Sequence, residues 1–160
     1  MKPFLSWRDD WLLGLNVLDT QHLALAGRLN QIHGVMVAAG EKSEFNSDAY
    51  RRLLDFAEMA REHFRDEESV MRDQDFPGLG EHHREHALLL AELQDLIRHI
   101  EEGKRDFKLQ TLTALKYWLI DHALNSDKAF ADFCRQQAAP VAGVASTSRH
   151  TSVQIHNSIR

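Results

Sequence analysis

Between Leu18 and Phe133 the apolar residues recur at intervals of three and four in four successive runs. That period belongs to α-helices with one buried stripe, and no segment shows the two-residue alternation of a half-buried strand. The first run holds Leu25, Ala26, Leu29, Ile32, Val35 and Met36, and the second Tyr50, Leu53, Leu54, Ala57, Ala60, Phe64 and Met71. The third holds Leu89, Leu93, Leu96, Ile97 and Ile100, and the fourth Leu112, Leu115, Leu119, Ser126, Phe130 and Phe133. The spacing predicts a helix from about Leu18 to Gly40 with Asp19 as N-cap, and a second from Asn46 or Ser47 to about Gln74. The turn DFPGLG should stop that helix, because Pro77 disfavours helical backbone before it. A third helix is expected from about Glu81 to Glu102, closed by Gly103, and a fourth after Asp106 as its cap. Short connections make successive helices antiparallel neighbours. The expected fold class is therefore all-α, an antiparallel up-down-up-down four-helix bundle.

Residues 1 to about 17 lack a helical period but carry Phe4, Trp7 and Trp11, which suits an extended N-terminal arm laid against the bundle. From Gln136 the chain is small and polar, so the folded domain is expected over 1–135 and a flexible tail over 136–160.

Polar residues interrupt the apolar stripes at one level in each run. His63 and Glu67 are four apart, as are His82 and His86, so each pair lies on one helix face and can aim two donor atoms at one point. His22 lies seven residues before Leu29 on the first stripe, and His122 lies on the fourth with Asp127 five residues on. Five residues subtend about 140° on a regular α-helix. Either the site lies between two helix faces or a π-type turn brings these two together. Burying seven such groups without partners would cost about 1 to 3 kcal/mol each. Ten histidines in 160 residues are likewise out of proportion, and a bound metal would account for both.

The donor set restricts the metal. A single cysteine, Cys134, excludes a thiolate zinc site, and five imidazoles with two carboxylates are too many donors for one tetrahedral zinc. Calcium or magnesium would call for oxygen donors. Mixed imidazole and carboxylate donors suit iron, and two carboxylates can bridge a pair of ions in a helical bundle. A formal charge of −5 gives no electrostatic reason to bind nucleic acid. No apolar run approaches the ~18 residues of a membrane span and no cleavable leader is evident, so no membrane insertion and a cytoplasmic location are expected.

Four motifs carry a family resemblance: D-x-Q-H at Asp19 to His22, H-F-x-x-E-E at His63 to Glu68, H-x-x-x-H at His82 to His86, and H-x-x-x-x-D at His122 to Asp127. With Trp7, the Leu13-Gly14-Leu15 turn, Met71, Phe76-Pro77 and Trp118, this run resembles the hemerythrins, most closely the single-domain bacteriohemerythrins, over residues 5 to about 133. Phe76 stands where that family often has Tyr, Ala123 where Ile is common, and the tail has no counterpart.

The resemblance implies a non-haem centre of two iron ions (Fe2+/Fe3+) with a bridging oxo or hydroxo group. His82, His86 and His122 would hold one iron, His22 and His63 the other, and Glu67 and Asp127 would bridge them. It further implies reversible binding of dioxygen, for transport, storage, delivery or sensing, in a pocket that Leu25, Phe64, Trp118 and Leu119 are placed to line. The alternative is a di-iron peroxidase, oxidase or nitric-oxide-handling enzyme on the same centre. An oxygen-consuming enzyme would be the partner for delivery. Glu68 and His83 are expected to point into solvent, and His33, His99, His150 and His156 to stay outside the site.

Overall fold

A computed structural model describes residues 2–40 and 46–138. Among them are a short 3-10 turn at Asp9–Trp11 and the helices α1 (Asn16–Ala39), α2 (Ser47–Asp73), α3 (Leu79–Glu101), α4 (Leu109–His122) and α5 (Lys128–Ala138). A π-helical turn, Ala123–Asp127, joins α4 to α5, so that these three pieces make one fourth rod. α1 packs on α2 and α4, and α2 on α3, which is the neighbour order of an antiparallel four-helix bundle. No described helix is long and apolar enough to cross a membrane.

The helix ends explain where expectation and structure part. α1 begins at Asn16, ahead of Asp19. The Asp19 carboxylate instead accepts from the Leu13 and Gly14 amides at 2.7 and 2.9 Å, fixing the turn that delivers the arm to the helix. Asn46 caps α2 as expected, accepting from the Ala49 amide at 3.0 Å. α2 ends through Asp75 at φ 50°, with the Phe76 amide returning to the Met71 carbonyl at 2.9 Å. A Cβ on Gly78 would lie 2.6 Å from the Phe76 ring, so glycine is needed there for close approach. Gly103, at φ 65°, closes α3 as expected, with the Lys104 amide reaching the His99 carbonyl at 2.9 Å. Asp106 does not cap α4, which starts after Lys108 without a side-chain cap; Asp106 pairs with Lys108 at 2.7 Å.

α5 runs through Gln136 and Gln137 to Ala138, past the expected start of the tail. The rest of that tail, with His150 and His156, lies outside the described residues.

Two apolar clusters fill the bundle. The larger gathers Leu25, Leu29 and Ile32 of α1, Leu53, Phe56 and Ala60 of α2, Leu93, Leu96 and Ile100 of α3, and Leu112, Leu115 and Leu119 of α4. Phe56 is fully buried, whereas Leu54 sits on the flank at 40% exposure and leaves the stripe. The smaller holds Leu13, Leu18, Met71, Phe130 and Ala131. The arm is built much as expected: Phe4, Trp7 and Trp11 pack on the larger cluster, and Leu5 is buried in it. Asn30 clamps the arm by accepting from the Leu5 amide at 2.7 Å and donating to its carbonyl at 2.8 Å.

Candidate metal centre

On every rod the polar level falls between the residues of the two apolar clusters: His22 between Leu18 and Leu25, His63 and Glu67 between Ala60 and Met71, His122 and Asp127 between Leu119 and Phe130. On α3, His82 and His86 precede Leu93 in the same way. All seven predicted residues are buried, none more than 4% exposed. They form two groups whose donor atoms lie within 4.8 Å of one another: Glu67, His82, His86, His122 and Asp127 in one, His22, His63 and Asp127 in the other. Asp127 belongs to both. The π turn resolves the five-residue spacing, because it places the Asp127 carboxylate 3.0 Å from His122 Nε2.

The contacts within the cluster suit a cation better than they suit hydrogen bonds. Asp127 oxygens lie 3.0 Å from His122 Nε2, 3.1 Å from His22 Nε2 and 3.3 Å from His82 Nε2, yet neither oxygen has a partner in hydrogen-bonding geometry. Glu67 Oε1 is similarly orphaned. His86 Nδ1 and His122 Nδ1 both face carboxylates, Glu68 Oε1 at 2.8 Å and Glu85 Oε1 at 2.9 Å, so both carry their proton on Nδ1. Their Nε2 atoms then face each other across 2.9 Å, an arrangement that needs either a proton or a metal ion between them. The donor chemistry therefore fits a metal of the iron type.

Burial and neighbouring charges pull the groups of the cluster in opposite directions. Burial, and then the neighbouring His22, push the His63 pKa down to about 4. Burial also opposes charge on His82, but Asp127 and Glu67 outweigh it and raise His82 to about 9. His122 is raised as well, burial again being overcome by Asp127. Burial would raise Asp127, but His122, His22 and His82 hold it well below the ordinary carboxylate range.

Around the seven stands a shell of which the motifs specify Gln21 and Glu68 without showing their role, and do not specify Glu85. Glu68 does not point into solvent: it accepts from His86 Nδ1 and, through its other oxygen, from the exposed His83 Nδ1 at 2.9 Å. Glu85 accepts from His122 Nδ1 and from Ser126 Oγ at 2.6 Å. The Gln21 amide oxygen accepts from His63 Nδ1 at 2.9 Å. Glu85 follows His82 by three residues and Glu68 follows Glu67 directly; three-residue spacing to a ligand is the one signal that could have singled out Glu85.

Phe64 stacks on His86 with centroids 3.8 Å apart and meets His122 edge-on at 5.3 Å. Trp118 lies one ring further out, 5.9 Å from Phe64, while Leu25 and Leu119 are buried in the larger apolar cluster. Trp7 covers the other side, 5.3 Å from His22. His33 stacks on Phe4, and His99 pairs with Asp95 at 3.2 Å, both away from the centre.

Residues 13–134 match the Hemerythrin HHE cation binding domain. The chain belongs to the hemerythrin family. It is 28% identical over 128 residues to a bacteriohemerythrin of Stenotrophomonas maltophilia, covering 80% of each chain. It is 26% identical over 121 residues to a myohemerythrin of Riftia pachyptila, covering 76% of this chain and 86% of that one. A wild-type hemerythrin crystal structure superposes with a TM-score of 0.72 at 22% identity, over 81% of this chain and 96% of that one, a likeness of fold. Membership and cluster together make this a hemerythrin-type protein with a candidate non-haem iron centre.

Proposed function

We propose that the protein binds dioxygen reversibly at a centre of two iron ions, as a carrier, store, delivery protein or sensor rather than as an enzyme. His82, His86 and His122 would hold one ion and His22 and His63 the other, with the Asp127 and Glu67 carboxylates shared between them. The observation that carries this reading is the inequality of the two donor groups, five residues against three. Even with Glu67, whose Oε2 lies 3.8 Å from His63 Nε2, the two-histidine position is left short of donors. A position short of protein donors is where a small ligand enters. When bound, the iron pair supplies the electrons that oxygen takes up and returns.

The chain's own residues supply the setting. Phe64, stacked on His86, and Leu25, Leu119 and Trp118 wall the centre with apolar surface and exclude water. Trp118 also lines a groove of about 870 Å3 between α3 and α4 and lies 5.9 Å from Phe64. The His-rich set saturates one ion, which limits the coordination free for further oxidation chemistry.

The test is optical. Protein reduced without air and then exposed to oxygen should develop a visible charge-transfer band that fades when oxygen is removed. A band that never forms, or one that forms irreversibly while peroxide or nitric oxide is steadily turned over, would replace oxygen carriage with the enzymatic reading.

A further inference from the structure

The imidazoles of the cluster are not held alike on their far sides. His122 Nδ1 donates to the Glu85 carboxylate, steadied by Ser126, and His86 Nδ1 to the Glu68 carboxylate, steadied by His83. Both carboxylates thus back ligands of the three-histidine group. In the other group His63 Nδ1 meets only the neutral Gln21 amide oxygen, whose nitrogen is taken by Asp66 at 2.9 Å. His22 Nδ1 is buried and has no hydrogen-bond partner among the described residues. An imidazole that donates its outer N–H to a carboxylate is fixed in tautomer and ring orientation, and its inner nitrogen becomes a stronger base toward a metal. An amide acceptor gives less of this, and an absent partner none.

We propose that Glu85 and Glu68 are positioning residues that make the three-histidine position the tight one, filled first and emptied last, while the two-histidine position exchanges its ion. This rests on the two-ion reading above. Glu85 on α3 and Ser126 in the π turn meet beside His122, and Glu85 belongs to neither apolar cluster, so that its replacement tests the hydrogen bond rather than the packing. The consequence is a division of labour within one cage. The tightly held ion would join the second, third and fourth rods, and its neighbour, on weaker histidines, keeps coordination free for a ligand.

The experiment follows the release of Fe2+, loaded anaerobically into the full chain, to a colorimetric chelator. Wild-type protein should release iron in two phases of equal amplitude. Glu85→Gln, which keeps shape and removes charge, should speed the slow phase about 10- to 100-fold and leave the fast one alone. Glu85→Asp should restore part of the difference. Gln21→Glu, which puts a carboxylate behind His63, should slow the fast phase, an opposite-sign change that a general loosening of the bundle could not produce. Two irons released in a single phase, or two phases that neither Glu85→Gln nor Gln21→Glu moves, would overturn the proposal and leave the two-ion reading standing. Wild-type protein that binds fewer than two irons per chain would overturn that reading and the proposal with it.

Discussion

The larger apolar cluster and the layer of imidazoles and carboxylates beside it occupy the same stripe of the same four rods, yet they are stabilised differently. Leu29, Ile32, Leu53, Phe56 and Leu112 are fully buried against one another, and their removal from water stabilises the bundle with no further component. Glu67 and Asp127 are as deeply buried, but three of their four oxygens have no hydrogen bond. Such a layer costs free energy until something positive enters it. One region folds by its own composition, and the other is completed by a ligand.

The largest effect should come from breaking the polar layer. Glu67→Ala or His122→Ala leaves the remaining donors unpaired and should reduce iron below two per chain by metal analysis. Truncating one member of a buried charged network costs about 3 to 5 kcal/mol. To this is added the lost stabilisation by metal, about 4 kcal/mol when free metal is a thousandfold above its dissociation constant. Thermal unfolding with and without a chelator separates the two contributions. Retention of two irons by either variant would refute the ligand assignment.

Leu29→Ala should behave in the opposite way. Its side chain is fully buried in the larger cluster, so truncation should cost about 2 to 5 kcal/mol. The loss should be equal with and without the chelator, and iron content should stay at the wild-type value. A Leu29→Ala penalty that appeared only in the metal-loaded protein would show that the two layers are one cooperative unit.

The difference between the regions also bears on what sequence reveals. The apolar cluster announces itself through period alone, because every member must sit on the stripe. Its errors are angular: Leu54 and Phe56 flank the same line, and only packing decides that the ring goes in. The seven cluster residues were legible because imidazoles and carboxylates on that stripe have no apolar explanation. The π turn was one of two readings of the five-residue spacing, which also fits a site between two faces, and the sequence alone does not choose between them. Gln21 and Glu68 stand inside the D-x-Q-H and H-F-x-x-E-E motifs but their role as partners of the ligands does not show there, and Glu85 is in neither motif. All three reach the ligands from positions beside the stripe, where a polar side chain on an ordinary solvated face looks the same.

Proton linkage offers a smaller and more graded probe. In the metal-free protein His82 is raised from 6.5 to about 9, so the stability it contributes is fully present below pH 6.5 and is lost as pH rises through 9. His63 is lowered to about 4: as pH falls from 6.5 toward 4 the unfolded chain takes up a proton that the folded one refuses, and stability drops. The metal-free layer should therefore be most stable near neutrality. Metal must displace the His82 proton, so loading at pH 7.5 should release acid, detectable with an indicator dye in weak buffer. Affinity should rise about tenfold per pH unit for each proton displaced, levelling off near pH 9. A pH-independent affinity would mean that His82 is already neutral before metal arrives. Leu29→Ala should leave that pH profile unchanged.

The smallest effect sharpens the comparison most, because it concerns a buried carboxylate that needs no ion. Asp19 is 9% exposed, on the same helix as His22, and both its oxygens are taken by backbone amides, Leu13 at 2.7 Å and Gly14 at 2.9 Å. Its charge is answered by the chain itself, in the way an N-cap answers a helix end. Asp19→Ala should cost about 1 kcal/mol, the range of a lost cap, by loosening the turn that seats Leu13 against Leu18 and Phe130. That loss should be the same in iron-loaded and iron-free protein and should leave two irons bound. If chelation instead abolished the difference between Asp19→Ala and wild type, the arm would be seated by the metal layer rather than by its own hydrogen bonds. Burial alone would then not be what separates Asp19 from Glu67 and Asp127; the separation would lie in which partner, backbone or ion, arrives first during folding.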